Sequence, residues 1–112
     1  MTTIYHNPRC SKSRQTLALL GEHGIEPEVI EYLETPPSAA ELKEILNMLG
    51  IAPRDLLRKK EAREAGLNDP DMGDDALIEA MAANPIVIER PIVVNNGKAA
   101  LGRPPESVVD IL

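Results

Sequence analysis

Strand-type sequence is confined to the two ends of this chain, and the segment between them reads as helix. Two strands alone are marginal in water, so the strands of both ends are expected to share one sheet. Ile4 and Tyr5, preceded by Thr2 and Thr3, read as a short first strand that stops at the turn signal Asn7-Pro8. A helix is expected from about Cys10 or Ser11 to His23, with Thr16, Leu17 and Leu20 inward and Gly24 closing it. Val29-Ile30-Glu31-Tyr32 reads as the second strand. A β-α-β start favours two parallel strands joined by a right-handed crossover.

In the middle, Ser38 and Glu41 form a capping-box pattern, followed by Leu42, Ile45, Leu46 and Leu49 at helical spacing and a stop at Gly50. Pro53 opens a short helix with Leu56 and Leu57, and residues 61–73 read as a charged surface loop. Asp74 or Asp75 is expected to cap a helix with Leu77, Ile78 and Met81 inward, stopped by Asn84-Pro85. Strands then return. Pro91–Val94 and Lys98–Leu101 flank Asn95-Asn96-Gly97, and Asn-Gly is the strongest short hairpin signal because a type I′ turn needs positive φ twice. Pro105 opens a last helix with Val108, Val109, Ile111 and Leu112. With only two Tyr and no Phe or Trp, the core must be built from aliphatic residues.

The chemistry concentrates near the start. Cys10 is the only cysteine, and the three charges of the first 21 residues, Arg9, Lys12 and Arg14, are all positive. The rest of the chain carries nine basic and eighteen acidic residues. A thiol in the one cationic stretch of an acidic chain, at a helix start, is a candidate thiolate, since cations and helix N-termini lower thiol pKa values. Ser13 completes a C-x-x-C spacing with a hydroxyl in the second place. It can donate to a thiolate but cannot resolve a mixed disulfide, so any redox cycle must draw on an external thiol. Arg58, Arg90 and Arg103 are candidate oxyanion ligands, because the guanidinium fork donates two parallel hydrogen bonds. His6 is a candidate neighbour of the sulfur, with a structural role as the competing reading; His23 reads as a solvated helix end.

The remaining function classes narrow quickly. A net charge of −6 argues against nucleic acid as a main partner. Cys10, His6 and His23 do not match a structural zinc spacing, and no nucleotide-binding glycine loop is present. The N-terminal residues lack signal-peptide character, and no apolar run approaches membrane-spanning length. One Cys makes no internal disulfide. A soluble, cytoplasmic protein is expected, a single domain over 1–112 with a helical insertion at about 38–84.

Without that insertion the element order is thioredoxin-like: an α/β mixed sheet of about four strands flanked by helices, with Cys10 at the first strand-to-helix junction. The motifs His6-Asn7-Pro8-Arg9-Cys10-Ser11-Lys12-Ser13-Arg14, Tyr32-Leu33-Glu34-Thr35-Pro36-Pro37, Leu56-Leu57-Arg58-Lys59, Asn84-Pro85-Ile86, Glu89-Arg90-Pro91-Ile92-Val93-Val94 and Gly102-Arg103-Pro104-Pro105 run through nearly the whole chain. Together they resemble the glutaredoxin-coupled arsenate reductase family. The resemblance implies Cys10 as the nucleophile toward arsenate and Arg58, Arg90 and Arg103 as oxyanion ligands. It implies His6 and Ser13 as stabilisers of the thiolate, and a cis-proline at Arg90-Pro91. It further implies a Cys10–arsenate ester, attack by glutathione as co-substrate, reduction by glutaredoxin as partner, and release of arsenite. A monomer with no bound cofactor and no metal is expected. Two other readings compete: a glutathione-linked thiol-disulfide oxidoreductase acting on another substrate, and a binding module like the transcription regulators of the superfamily. The regulators commonly use a C-x-x-C switch, which Ser13 breaks.

Overall fold

The computed structural model describes residues 1–112. The chain divides into two compact units, Met1–Thr35 with Arg90–Leu112, and Pro36–Glu89. The first contains β1 (Thr2–His6), α1 (Ser11–Glu22), β2 (Glu28–Glu31), β3 (Ile92–Asn95), β4 (Lys98–Leu101) and a 3-10 helix over Pro105–Ile111. Its sheet runs β2-β1-β3-β4, with β2 parallel to β1 and the other neighbours antiparallel. This is the mixed α/β sheet expected from the sequence.

The register decides what lies under α1. Ile4 pairs with Val93, and both side chains are fully buried with Leu20 of α1 and Val108 of the C-terminal 3-10 helix. Side chains alternate along a strand, so His6 shares the face of Ile4. It therefore lies on the side covered by α1. In the hairpin, Asn96 (φ 51°) and Gly97 (φ 79°) both adopt the positive φ that a type I′ turn demands.

Two boundaries in this unit differ from expectation. The second strand ends at Glu31, because the Glu31 carbonyl accepts the amides of Glu34 and Thr35 and turns the chain there. Tyr32 thus leaves the strand, yet stays 2% exposed. The last helix is 3-10, with Val108 inward while Val109 and Leu112 are exposed.

The second unit holds α2 (Ala39–Leu49), α3 (Lys59–Glu64) and α4 (Asp74–Ala83), with 3-10 turns at Pro53–Leu56 and Pro85–Val87. The capping box closes in both directions: Glu41 N–H donates to Ser38 Oγ at 3.1 Å, and Ser38 N–H to Glu41 Oε1 at 3.0 Å. Gly50 ends α2 at φ 70°. Helix α2 packs on α4, with Leu42, Ile45, Leu46, Leu77, Ile78 and Met81 buried.

The segment 61–73 is not the uniform surface loop expected. Its first part belongs to α3, where Ala62 is 3% exposed and its amide bonds the Arg58 carbonyl at 2.8 Å. A six-residue helix with one buried position shows no apolar periodicity, so its signal is tertiary. Nor does an aspartate cap α4. Gly73 occupies the cap, while Asp74 and Asp75 sit in the first turn, where the helix dipole favours negative charge.

Candidate active site

The site of the first unit starts from the turn between β1 and α1. Asn7 organises it. Its carbonyl accepts the Cys10 amide at 3.0 Å, and its side-chain Oδ1 accepts the Arg9 amide at 3.0 Å. Such an Asx turn explains why Asn precedes Pro here. Arg14 clamps the same turn by donating to the Pro8 carbonyl at 3.0 Å. The result places Cys10 at the N-cap of α1, in extended backbone.

Cys10 is 9% exposed. Burial pushes its pKa up. Against that act the Ser13 amide, the Arg90 charge, the Lys12 amide and the Arg103 charge, in decreasing order, and together they leave the thiol below its ordinary value. The two amides belong to the first turn of α1; neither closes a full capping hydrogen bond, so their action on the sulfur is electrostatic.

His6 and Ser13 form a buried pair, with Nδ1 and Oγ 2.6 Å apart. Ser13 Oγ also accepts the Asn7 amide at 3.0 Å. Burial holds His6 below its ordinary pKa, with Glu31 raising and Arg14 lowering it. A neutral His6 closes the pair in either tautomer. If Nδ1 carries the proton, Ser13 accepts twice and its hydroxyl hydrogen is free for another acceptor.

Arg90 precedes β3 and Arg103 follows β4, so the two come together at the open end of that hairpin, beside the end of β1 that leads to Cys10. Arg103 Nη1 donates to the Arg90 carbonyl at 3.1 Å, and both Arg90-Pro91 and Arg103-Pro104 are cis. Gly102 lies between them in the close-packed wall. Its amide bonds the Pro91 carbonyl at 3.0 Å, and a Cβ there would collide with Thr16 Oγ1 and the Pro91 ring. Thus His6, Cys10, Ser13, Arg90 and Arg103 gather in one unit. Arg58 stands in the second unit, where it pairs with Glu61 at 2.8 Å and donates to the Ile86 carbonyl at 3.2 Å. No group of three or more His, Cys, Asp or Glu residues is arranged to hold a metal ion.

Sequence reasoning missed three contributors: Asn7 as the turn's organiser, Glu31 as the strand partner of His6, and Gly102 as a contact point. Asn before Pro carried a readable turn signal. The other two depend on register and approach, which leave no local trace.

Comparison with known proteins places this geometry. An uncharacterized protein of Escherichia coli K12, YfgD, is 57% identical over 112 residues, covering 97% of this chain and 94% of its own length. An arsenate reductase of Neisseria meningitidis serogroup A is 53% identical, covering 97% and 96%. The solved structure of an arsenate reductase from Vibrio cholerae superposes with a TM-score of 0.95 at 55% identity, covering 99% of this chain and 97% of that one. No helix is long and apolar enough to cross a membrane. The profile of the ArsC family matches residues 5–111, and the chain belongs to that family.

Proposed function

We propose that this protein reduces arsenate to arsenite through Cys10, with glutathione and glutaredoxin as external reductants. The observation that carries the reading is a lone cysteine at a helix N-cap whose pKa is lowered by two helix amides and by Arg90 and Arg103. Relatives named arsenate reductases at 53% identity support the substrate.

In this reading the Cys10 thiolate attacks arsenic and displaces one oxygen, which leaves as water after taking up protons. Arg90 and Arg103 balance the oxyanion's charge as the sulfur approaches it. The family resemblance implies Arg58, which pairs with Glu61, as a further oxyanion ligand. The Ser13 hydroxyl hydrogen is free when His6 holds its own proton on Nδ1, and the family resemblance implies Ser13 as a stabiliser of the thiolate. A glutathione thiol then displaces a second oxygen from arsenic, which leaves as water with the thiol proton and a second proton from solvent. A glutaredoxin thiol takes the glutathione sulfur as a mixed disulfide, which leaves two electrons on arsenic and reduces it from As(V) to As(III). Water finally releases arsenite and returns the Cys10 thiolate. The second and third sulfurs must come from outside, because the chain has only one.

The test is arsenite formation from arsenate with glutathione and glutaredoxin supplied, native protein against Cys10→Ser. Turnover in the native protein that disappears in the variant is expected. No turnover in a native protein whose Cys10 still alkylates would remove arsenate as substrate and favour a thiol-disulfide exchange on another one.

A further inference from the structure

On the β2 side of the site lies a cleft of about 280 Å³, lined by His6, Asn7, Arg9, Glu31, Leu33 and Glu34 among others. One wall is the turn that carries Cys10. The other is the corner at which β2 ends. Its charges are of opposite sign on opposite walls: Arg9 on the turn, Glu31 and Glu34 on the corner, all exposed. A zwitterion spanning the cleft meets a complementary charge at each end. Leu33, 37% exposed, supplies apolar surface between them.

A second observation points to a ligand. His6 is 6% exposed and lines this cleft, yet only its Nδ1 is engaged, by Ser13. Its Nε2 is engaged by no protein group. A ring nitrogen open to a cleft is a place for a ligand's polar atom.

We propose that this cleft seats the amino-acid end of the thiol that attacks at Cys10, with its α-ammonium against Glu31 and Glu34 and its α-carboxylate against Arg9. The assignment rests on the reading of Cys10 as a nucleophile served by an external thiol. A peptide N–H of that thiol donates to His6 Nε2. This selects the Nδ1–H tautomer of His6, in which Nδ1 donates to Ser13 Oγ. Glutathione has all of these groups.

The test needs no arsenate. Cys10 thiolate attacks one sulfur of glutathione disulfide; a Cys10–glutathione S–S bond forms, the reagent's S–S bond breaks, and one glutathione thiolate leaves and takes a proton from water. The rate is read by mass spectrometry and compared with that of bis(2-hydroxyethyl) disulfide, which is neutral. Glu34→Gln and Arg9→Gln should each slow the glutathione disulfide reaction about threefold to fivefold, the scale of one exposed ion pair, with the neutral reagent unchanged. Glu22→Gln, the same charge change on α1 outside the cleft, should leave the ratio as it is. A native ratio in both Glu34→Gln and Arg9→Gln, each folded by circular dichroism, overturns the proposal. Normal arsenite formation with a flat ratio removes the cleft alone. A shifted ratio in a protein that forms no arsenite upholds the cleft and removes the arsenate reading.

Discussion

Gly102→Ala tests the packing that brings Arg103 to Arg90. The added Cβ would overlap Thr16 Oγ1 and approach Pro91 Cγ at 2.7 Å, closer than carbon atoms pack. Neither neighbour yields cheaply. Thr16 is fully buried on α1 with Oγ1 bonded to the Lys12 carbonyl at 2.8 Å, and its Cγ2 is only 3.1 Å from the new atom. Turning the side chain therefore exchanges one close contact for another and loses the bond. Pro91 is a buried ring beside a strand. Overpacking of this kind costs about 1–3 kcal/mol, and the Thr16 bond about 1 more. Reduced freedom of the unfolded chain returns about 0.4–1 kcal/mol, so the clash wins. A net loss near 2–3 kcal/mol lowers the melting temperature of a chain this size by roughly 10 °C.

The assay is thermal unfolding followed by circular dichroism, on the native protein, Gly102→Ala, Thr16→Ala and the double variant. Thr16→Ala removes both colliding atoms on that side. The double variant should then recover part of the loss, with a coupling of about 1 kcal/mol or more between the two positions. A single Gly102→Ala variant that melts within about 2 °C of the native protein would refute the close-packed wall, since that shift is about half a kcal/mol. A strictly additive double variant would refute Thr16 as the obstacle.

Three further outcomes are expected. Arg103→Ala should move the pH midpoint of Cys10 alkylation upward, because it removes one of the charges that hold the thiol down; an unmoved midpoint would separate Arg103 from the sulfur. His6 has a folded pKa below its ordinary 6.5, so the unfolded state binds the proton first. Its share of stability is complete above about pH 6.5 and is lost as pH falls through that value toward the folded pKa. His6→Asn should therefore flatten the acid side of the melting profile between pH 7 and 5, and an equally steep profile would contradict the assignment. Ser38→Ala should cost about 1 kcal/mol by opening the capping box, without changing Cys10 alkylation. Melting curves and alkylation rates on the same variant check both halves.

The sequence by itself determined what depends on neighbours within a few residues. The Ser38-Glu41 box, the stops at Gly24 and Gly50, the Asn96-Gly97 turn and the place of Cys10 at a helix start each follow from local backbone chemistry, and each stands where it was read. The strand and helix order was legible for the same reason, and with it the four-stranded mixed sheet. Only the tertiary structure decided α3, whose single buried alanine has no periodicity to announce it, and the end of β2, which two backbone hydrogen bonds to Glu31 impose. It also decided the pairing of His6 with Glu31, the approach of Arg90 and Arg103 to a thiol some eighty and ninety positions earlier, and the bare Cα that Thr16 requires of residue 102. These contacts arise from strand register and close packing between distant segments. Loop closure and burial set their energies, and no local pattern of residue types records them.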